Sequence, residues 1–160
     1  MKEFRIRPIN KEDRPWIVRL LTRHWGSARS VTRGRIYQAD ALPGFVAIKN
    51  ERRAGLITYH IDSNGCEITT INSVVERRGI GSAMVGAVRD VAVAASCQRL
   101  WLITTNDNTK ALRFWQKRGF NIKALYPNAI ARDRLLKPEI PLLGNDGIPI
   151  RDEIELELLL

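Results

Sequence analysis

Apolar and polar residues alternate along this chain in two rhythms, and the switches between them mark out its elements. Phe4-Arg5-Ile6-Arg7 has period two, which predicts a short strand with one covered face. Asn10, with Asp13 three residues on and Pro15-Trp16 behind it, predicts a helix start, since Asn is a favoured N-cap and Pro suits a first turn. Trp16, Ile17, Leu20, Leu21 and His24 then recur at helical spacing. From Trp25 to Ala41 no period is clear. Gly26, Ser27, Ser30, Thr32, Arg33 and Gly34 predict loops there, which serve either an acceptor substrate or plain connection. Residues 44–49 and 52–61 read as strands around an Asn50-Glu51 turn. A Ser63-Asn64-Gly65 turn leads into a central strand over 66–75, so the three form an antiparallel meander.

The second half keeps helical time first. Met84, Ala87, Val88, Val91 and Ala95 predict a helix over 81–95, followed by a buried strand of parallel type over 99–104. Asn108 reads as an N-cap. Ala111, Leu112, Trp115 and Arg118 share the stripe of the helix it opens, and Gly119 ends that helix. A strand near 121–126 follows, then a helix over 128–137 halted by Pro138, then turns at Pro141, Gly144-Asn145-Asp146-Gly147 and Pro149. Glu153-Ile154-Glu155-Leu156-Glu157-Leu158 alternates strictly and predicts a strand with one wet face. An insertion of about 25 residues therefore separates the last two strands.

Composition narrows the class. A length of 160 residues is that of one domain, 1–160, and 44% hydrophobic content is enough for a sizeable core. No apolar run approaches the ~18 residues of a membrane span, and the N-terminus lacks a signal peptide's apolar stretch, so the expected location is cytoplasmic. Cys66 and Cys97 are too few for a disulfide framework and read as free thiols. A net charge of +9 raises a nucleic-acid reading. No long Lys/Arg block, aromatic-basic strand or zinc-finger spacing supports it, and the chain's end is acidic. Positive potential equally suits an enzyme that binds a polyanionic cofactor.

The chemistry concentrates in Val75-Glu76-Arg77-Arg78-Gly79-Ile80-Gly81-Ser82-Ala83-Met84-Val85, where a strand passes through a Gly-x-Gly corner into a helix. A helix start carries unpaired N–H groups and positive potential, so it attracts anions. Gly79 and Gly81 clear side chains from those amides, while Arg77 and Arg78 add charge. Glycines also sit at such corners for steric reasons alone. A dinucleotide fingerprint would need a third glycine where Met84 stands, and no P-loop Gly-Lys-Ser/Thr occurs.

Together with Asn108-Thr109-Lys110-Ala111-Leu112-Arg113-Phe114-Trp115-Gln116-Lys117-Arg118-Gly119-Phe120, this segment resembles the GNAT superfamily of acyl-CoA-dependent N-acetyltransferases over residues 67–120. The resemblance implies an α/β fold with a mixed, mostly antiparallel sheet flanked by helices. It implies acetyl-CoA as co-substrate, an unidentified amine acceptor, no metal, and a monomer or homodimer. By alignment on the glycine loop it assigns the pantetheine arm to the backbone of Ile71, Asn72 and Ser73. The pyrophosphate falls to Arg77, Arg78, Gly79, Ile80, Gly81, Ser82 and Ala83, and the rest of the cofactor site to Asn108 and Trp115. Glu67 matches a catalytic glutamate of some members and is the candidate base; read alone, it is equally a solvated strand glutamate. His24 and His60 are bases by residue type only.

Two departures stand out. Glu76 takes the place of the usual Arg or Gln and is expected to face outward. Trp115 replaces the tyrosine that often protonates CoA, and an indole cannot serve as that acid. Tyr37 and Tyr126 are substitutes by type alone. A rival reading is an acyl-CoA-binding protein without catalysis, acting as sensor or partner.

Overall fold

A computed structural model describes residues 3–75 and 79–160. Its main sheet has seven strands: β1 (Arg5–Pro8), β4 (Gly44–Lys49), β5 (Arg52–Asp62), β6 (Gly65–Ser73), β7 (Arg99–Thr105), β8 (Asn121–Tyr126) and β9 (Glu153–Leu159). They lie in the order β1-β4-β5-β6-β7-β9-β8, so β6 is central. Every pairing is antiparallel except β6 with β7. One face carries α2 (Ile80–Ala94) and α3 (Thr109–Lys117), packed through Ile80, Met84, Val88, Trp115 and Phe120 onto Ile57, Ile68, Leu100, Leu102 and Leu156. The other face carries α1 (Arg14–Trp25), with Ile17, Leu20 and Leu21 against Val46, Ile48 and Leu56. The mixed, mostly antiparallel sheet flanked by helices is the expected fold.

Local signals account for much of this. Asn10 Oδ1 accepts from the amides of Glu12 and Asp13 while the Asp13 carboxylate accepts from Asn10 N, a reciprocal cap ahead of α1. Asn50 and Glu51 both take left-handed backbone (φ 49° and 57°), as a two-residue hairpin turn requires. Asn108 caps α3 by accepting from Ala111 N, and Gly119 leaves it at φ 90°.

Two expectations need correction. The region read as loops contains a hairpin, β2 (Arg29–Thr32) paired with β3 (Arg35–Gln38), turned by Arg33 and Gly34 in left-handed backbone. The expected wet face of β9 is not wet: Glu153 and Glu155 are buried. The glutamates face a polar layer made with Arg33, Arg99, Tyr126 and α4 (Ala129–Leu136), the helix of the insertion. Arg99 pairs with Glu155 at 2.8 Å and Glu157 at 3.0 Å. Asp133 of α4 sits beside Glu153 and accepts from Gly34 N. Hydropathy alternation records which side of a strand is polar, and a buried ion-pair layer has the same record as water.

Candidate active site

The site begins with a defect in the sheet. Thr58 of β5 opposes Thr70 of β6 while its neighbour Tyr59 opposes Ile68, so Thr69 is an extra, bulged residue. Thr58 Oγ1 holds the bulge by bonding both Thr69 Oγ1 (2.7 Å) and Thr70 Oγ1 (2.5 Å). A bulge bends and over-twists its strand, and β6 parts from β7 here. The parallel ladder comprises only Cys66↔Leu100 and Glu67↔Trp101. Beyond Glu67, no described strand pairs with β6 on the β7 side, so the backbone there is open to a ligand.

A cleft of about 620 Å³ fills the gap. Ile68 to Ile71 line one wall and Leu102 to Thr105 the other, with Asn108, Ala111 and Trp115 of α3 at one side. The C-terminal end of α1, strand β2 and the insertion close the far side. A depression of about 670 Å³ lies at the other end of the sheet, around Gly65, Cys97 and Arg99, away from this divergence.

Past β6, Ser73 Oγ donates to the Val75 carbonyl at 2.6 Å and the chain heads for the glycine corner. Glu76, Arg77 and Arg78 lie outside the described residues, and with them two of the expected phosphate contacts and the outward turn of Glu76. Gly79 is the N-cap of α2, at φ 76° and with no side-chain cap bond. A Cβ there would meet nothing within 4 Å, whereas one on Gly81 would meet the Phe114 ring at 3.0 Å. A side chain at Gly81 would thus press on Phe114, whereas Gly79 leaves the helix end open. Arg118 reaches this end from α3: its guanidinium donates to Ser82 Oγ at 2.6 and 3.0 Å and lies 3.5 Å from the centre of the Phe114 ring. In sequence Arg118 is only a member of the stripe of α3, and the packing of α3 beside α2 is what brings it to Ser82.

Glu67 is buried, 2% exposed, on the side of the sheet covered by the β2–β3 hairpin. It accepts from Tyr37 Oη at 2.9 Å and Thr32 Oγ1 at 3.3 Å, and Arg35 stands 4.0 Å away. Burial pushes its carboxyl above the usual range, against the pull of Tyr37, Arg35, Thr32 and His60. Glu67 does not line the cleft; Thr32 does. Its reading as a solvated glutamate is therefore set aside.

The structure brings Ile71, Asn108 and Trp115 together on the cleft. Asn72 accepts from Trp25 Nε1 at 3.3 Å, tying the end of α1 to β6. Trp115 is buried, edge-on to Phe114 and Phe120 with centroids at 4.9 and 5.0 Å. His24 lines the cleft from an exposed position, while His60 is held near Asp62 and Tyr37 outside it. Tyr37 and Tyr126 are committed to Glu67 and Glu155, away from the cleft. Among the described residues no cluster suits a metal, and no helix is long and apolar enough to cross a membrane.

Comparison with known proteins follows the same lines. The chain is 43% identical over 148 residues to the uncharacterized protein YdhI of Bacillus subtilis, covering 92% of each. Its fold superposes on an IAA acetyltransferase from Bacillus cereus with a TM-score of 0.74 at 21% identity, covering 98% and 99% of the two chains. A GNAT family acetyltransferase from Elizabethkingia anophelis, solved with acetyl-CoA bound, gives 0.70 at 20% identity over the whole of both. Residues 9–120 match the model of the Acetyltransferase (GNAT) family. The chain belongs to that family.

Proposed function

We propose that this protein is an N-acetyltransferase, moving an acetyl group from acetyl-CoA to an amine by direct attack within a ternary complex. One observation carries the reading: β6 parts from β7 to open a cleft, and the same chain segment runs on from β6 into the glycine-led start of α2. The open backbone of Ile71, Asn72 and Ser73 holds the pantetheine arm, which is amide-rich and can extend the sheet by hydrogen bonding. The free amides of Gly79, Ile80, Gly81 and Ser82 take the pyrophosphate, while Ala83, whose amide donates to the Gly79 carbonyl at 3.1 Å, closes that first turn. Arg118 adds a cation there, with Arg77 and Arg78 as further candidates. Asn108 and Trp115 bound the thioester end.

In the reaction the amine nitrogen attacks the thioester carbonyl carbon, a tetrahedral adduct forms, and the C–S bond breaks to give amide and CoA thiolate. Backbone N–H groups at the divergence stabilise the oxyanion. The attacking amine must lose a proton, and Thr32 supplies a route: its hydroxyl gives a proton to Glu67 while accepting one from the amine. Burial raises the Glu67 carboxyl and makes it a stronger proton acceptor for that duty. Trp115 excludes water beside the sulfur but gives no proton. A thiolate with a pKa of about 8.5 leaves without an acid. Steady-state release of CoA from acetyl-CoA over a panel of amines tests the reading. Amine-dependent release is expected. Tight acetyl-CoA binding without release for any amine would favour the non-catalytic sensor, for which the absent tyrosine at Trp115 speaks.

A further inference from the structure

The far wall of the cleft holds a cation that the reaction does not use. Lys137 follows α4, lines the cleft, and is only 6% exposed. Its Nζ donates to the Arg29 carbonyl at 2.8 Å. An ammonium has three donors, and among the described residues no carboxylate forms an ion pair with it. The carboxylates that line the same cleft, Glu139 and Asp107, are already engaged. Glu139 pairs with Arg29 at 3.6 Å and accepts from Ser27 at 3.1 Å. Asp107 accepts from Thr105 Oγ1 and from both the amide and the side chain of Asn145. A buried ammonium without a carboxylate at ion-pair distance is costly: burial lowers its pKa, against the pull of the Glu139 carboxylate from farther off. Such a group is stabilised by whichever anion arrives in the cleft.

Resting on the acetyltransferase reading, we propose that the acceptor is an aminocarboxylic acid with an apolar body, whose carboxylate is bound by Lys137 while its amine faces the divergence of β6 and β7. The rest of the wall fits such a body: Val31, Ile68, Ile103, Ile140 and Pro141 line the same cleft. The insertion between the last two strands thereby gains a use, since it delivers Lys137 to the wall.

The test compares acceptors that differ only in the carboxylate: L-leucine against isoamylamine, and 6-aminohexanoate against pentylamine. CoA release gives kcat/KM for each in the full chain, and in Lys137→Met and Lys137→Gln, the second of which keeps a donor for the Arg29 carbonyl. Preference for the acid within each pair should fall by about tenfold or more in both variants, with the plain amines little changed. Comparing preferences between proteins cancels the differing basicity of the amines. A preference unaltered by both substitutions overturns the proposal. If no amine releases CoA, the acetyltransferase reading fails instead, and calorimetry on the CoA-loaded protein decides the Lys137 assignment. N-acetyl-L-leucine binding that is lost in Lys137→Gln upholds the carboxylate site. Binding equal to that of N-isoamylacetamide, or none at all, overturns it.

Discussion

Gly79 offers the cleanest way to put a charge at the proposed phosphate site. It caps α2 at φ 76°, and a Cβ there would meet nothing within 4 Å. Gly79→Asp and Gly79→Asn share shape and backbone strain, about 1 kcal/mol for a non-glycine in this conformation, so their difference isolates one negative charge. A phosphate on the first-turn amides would lie about 5 Å from that carboxylate. At effective dielectrics between about 20 and 80, one charge pair at that distance repels by about 1–3 kcal/mol, or about 5- to 150-fold in Kd. The same carboxylate should stabilise α2 through the helix dipole by about 0.3–1 kcal/mol. The Asp variant should thus melt no lower than the Asn variant yet bind acetyl-CoA more weakly, with the gap narrowing as salt rises. Calorimetry at low and high salt, with thermal melts, reads both effects. Equal Kd values for the two folded variants at low salt would refute a pyrophosphate at this helix end. Substitution of Gly81 is less informative, because it strikes Phe114 first.

Glu67→Gln keeps the acceptor for Tyr37 but cannot take a proton, so turnover should drop by about 10²–10⁴-fold with CoA affinity retained. Wild-type turnover should also rise with pH through the elevated Glu67 pKa, and that rise should vanish in the variant; turnover within about threefold of wild type would remove Glu67 from the mechanism. Trp115→Tyr should leave turnover flat and alter CoA affinity through lost packing, and a large gain would mean that proton return to sulfur limits the rate. Glu153, buried beside Asp133, holds its proton in the folded chain up to about pH 8, whereas the unfolded chain releases it in the ordinary carboxyl range. The folded state binds more protons across that window, so stability should fall as pH rises through it. Asp133→Asn should flatten that fall, and parallel melting curves for the two proteins would contradict the assignment.

What the sequence made legible was whatever is decided locally. The Asn10 and Asn108 caps, the Asn50-Glu51 turn and the periods of β1 and α2 depend on neighbours within a few residues. The β2–β3 hairpin escaped because Ser30-Val31-Thr32-Arg33-Gly34-Arg35 has little hydrophobic contrast. Its partners across space are polar, with Glu67, Asp133 and Glu153 all meeting it. The burial of Glu153 and Glu155 escaped for the same reason. Thr69 carries no mark of the bulge that opens the cleft, since a bulge is a relation between two strands. Lys137 reads as an ordinary helix-end lysine until the fold sets it against Arg29.

In the proposed complex the cofactor lies in the divergence of β6 and β7 with its phosphates on α2. Amide and indole N–H shifts followed during titration of the labelled protein with acetyl-CoA test this placement residue by residue. The largest changes should fall on Ile71, Ser73, Gly79 to Ala83 and the Trp115 indole. Changes concentrated instead around Gly65, Cys97 and Arg99, at the opposite end of the sheet, would contradict it.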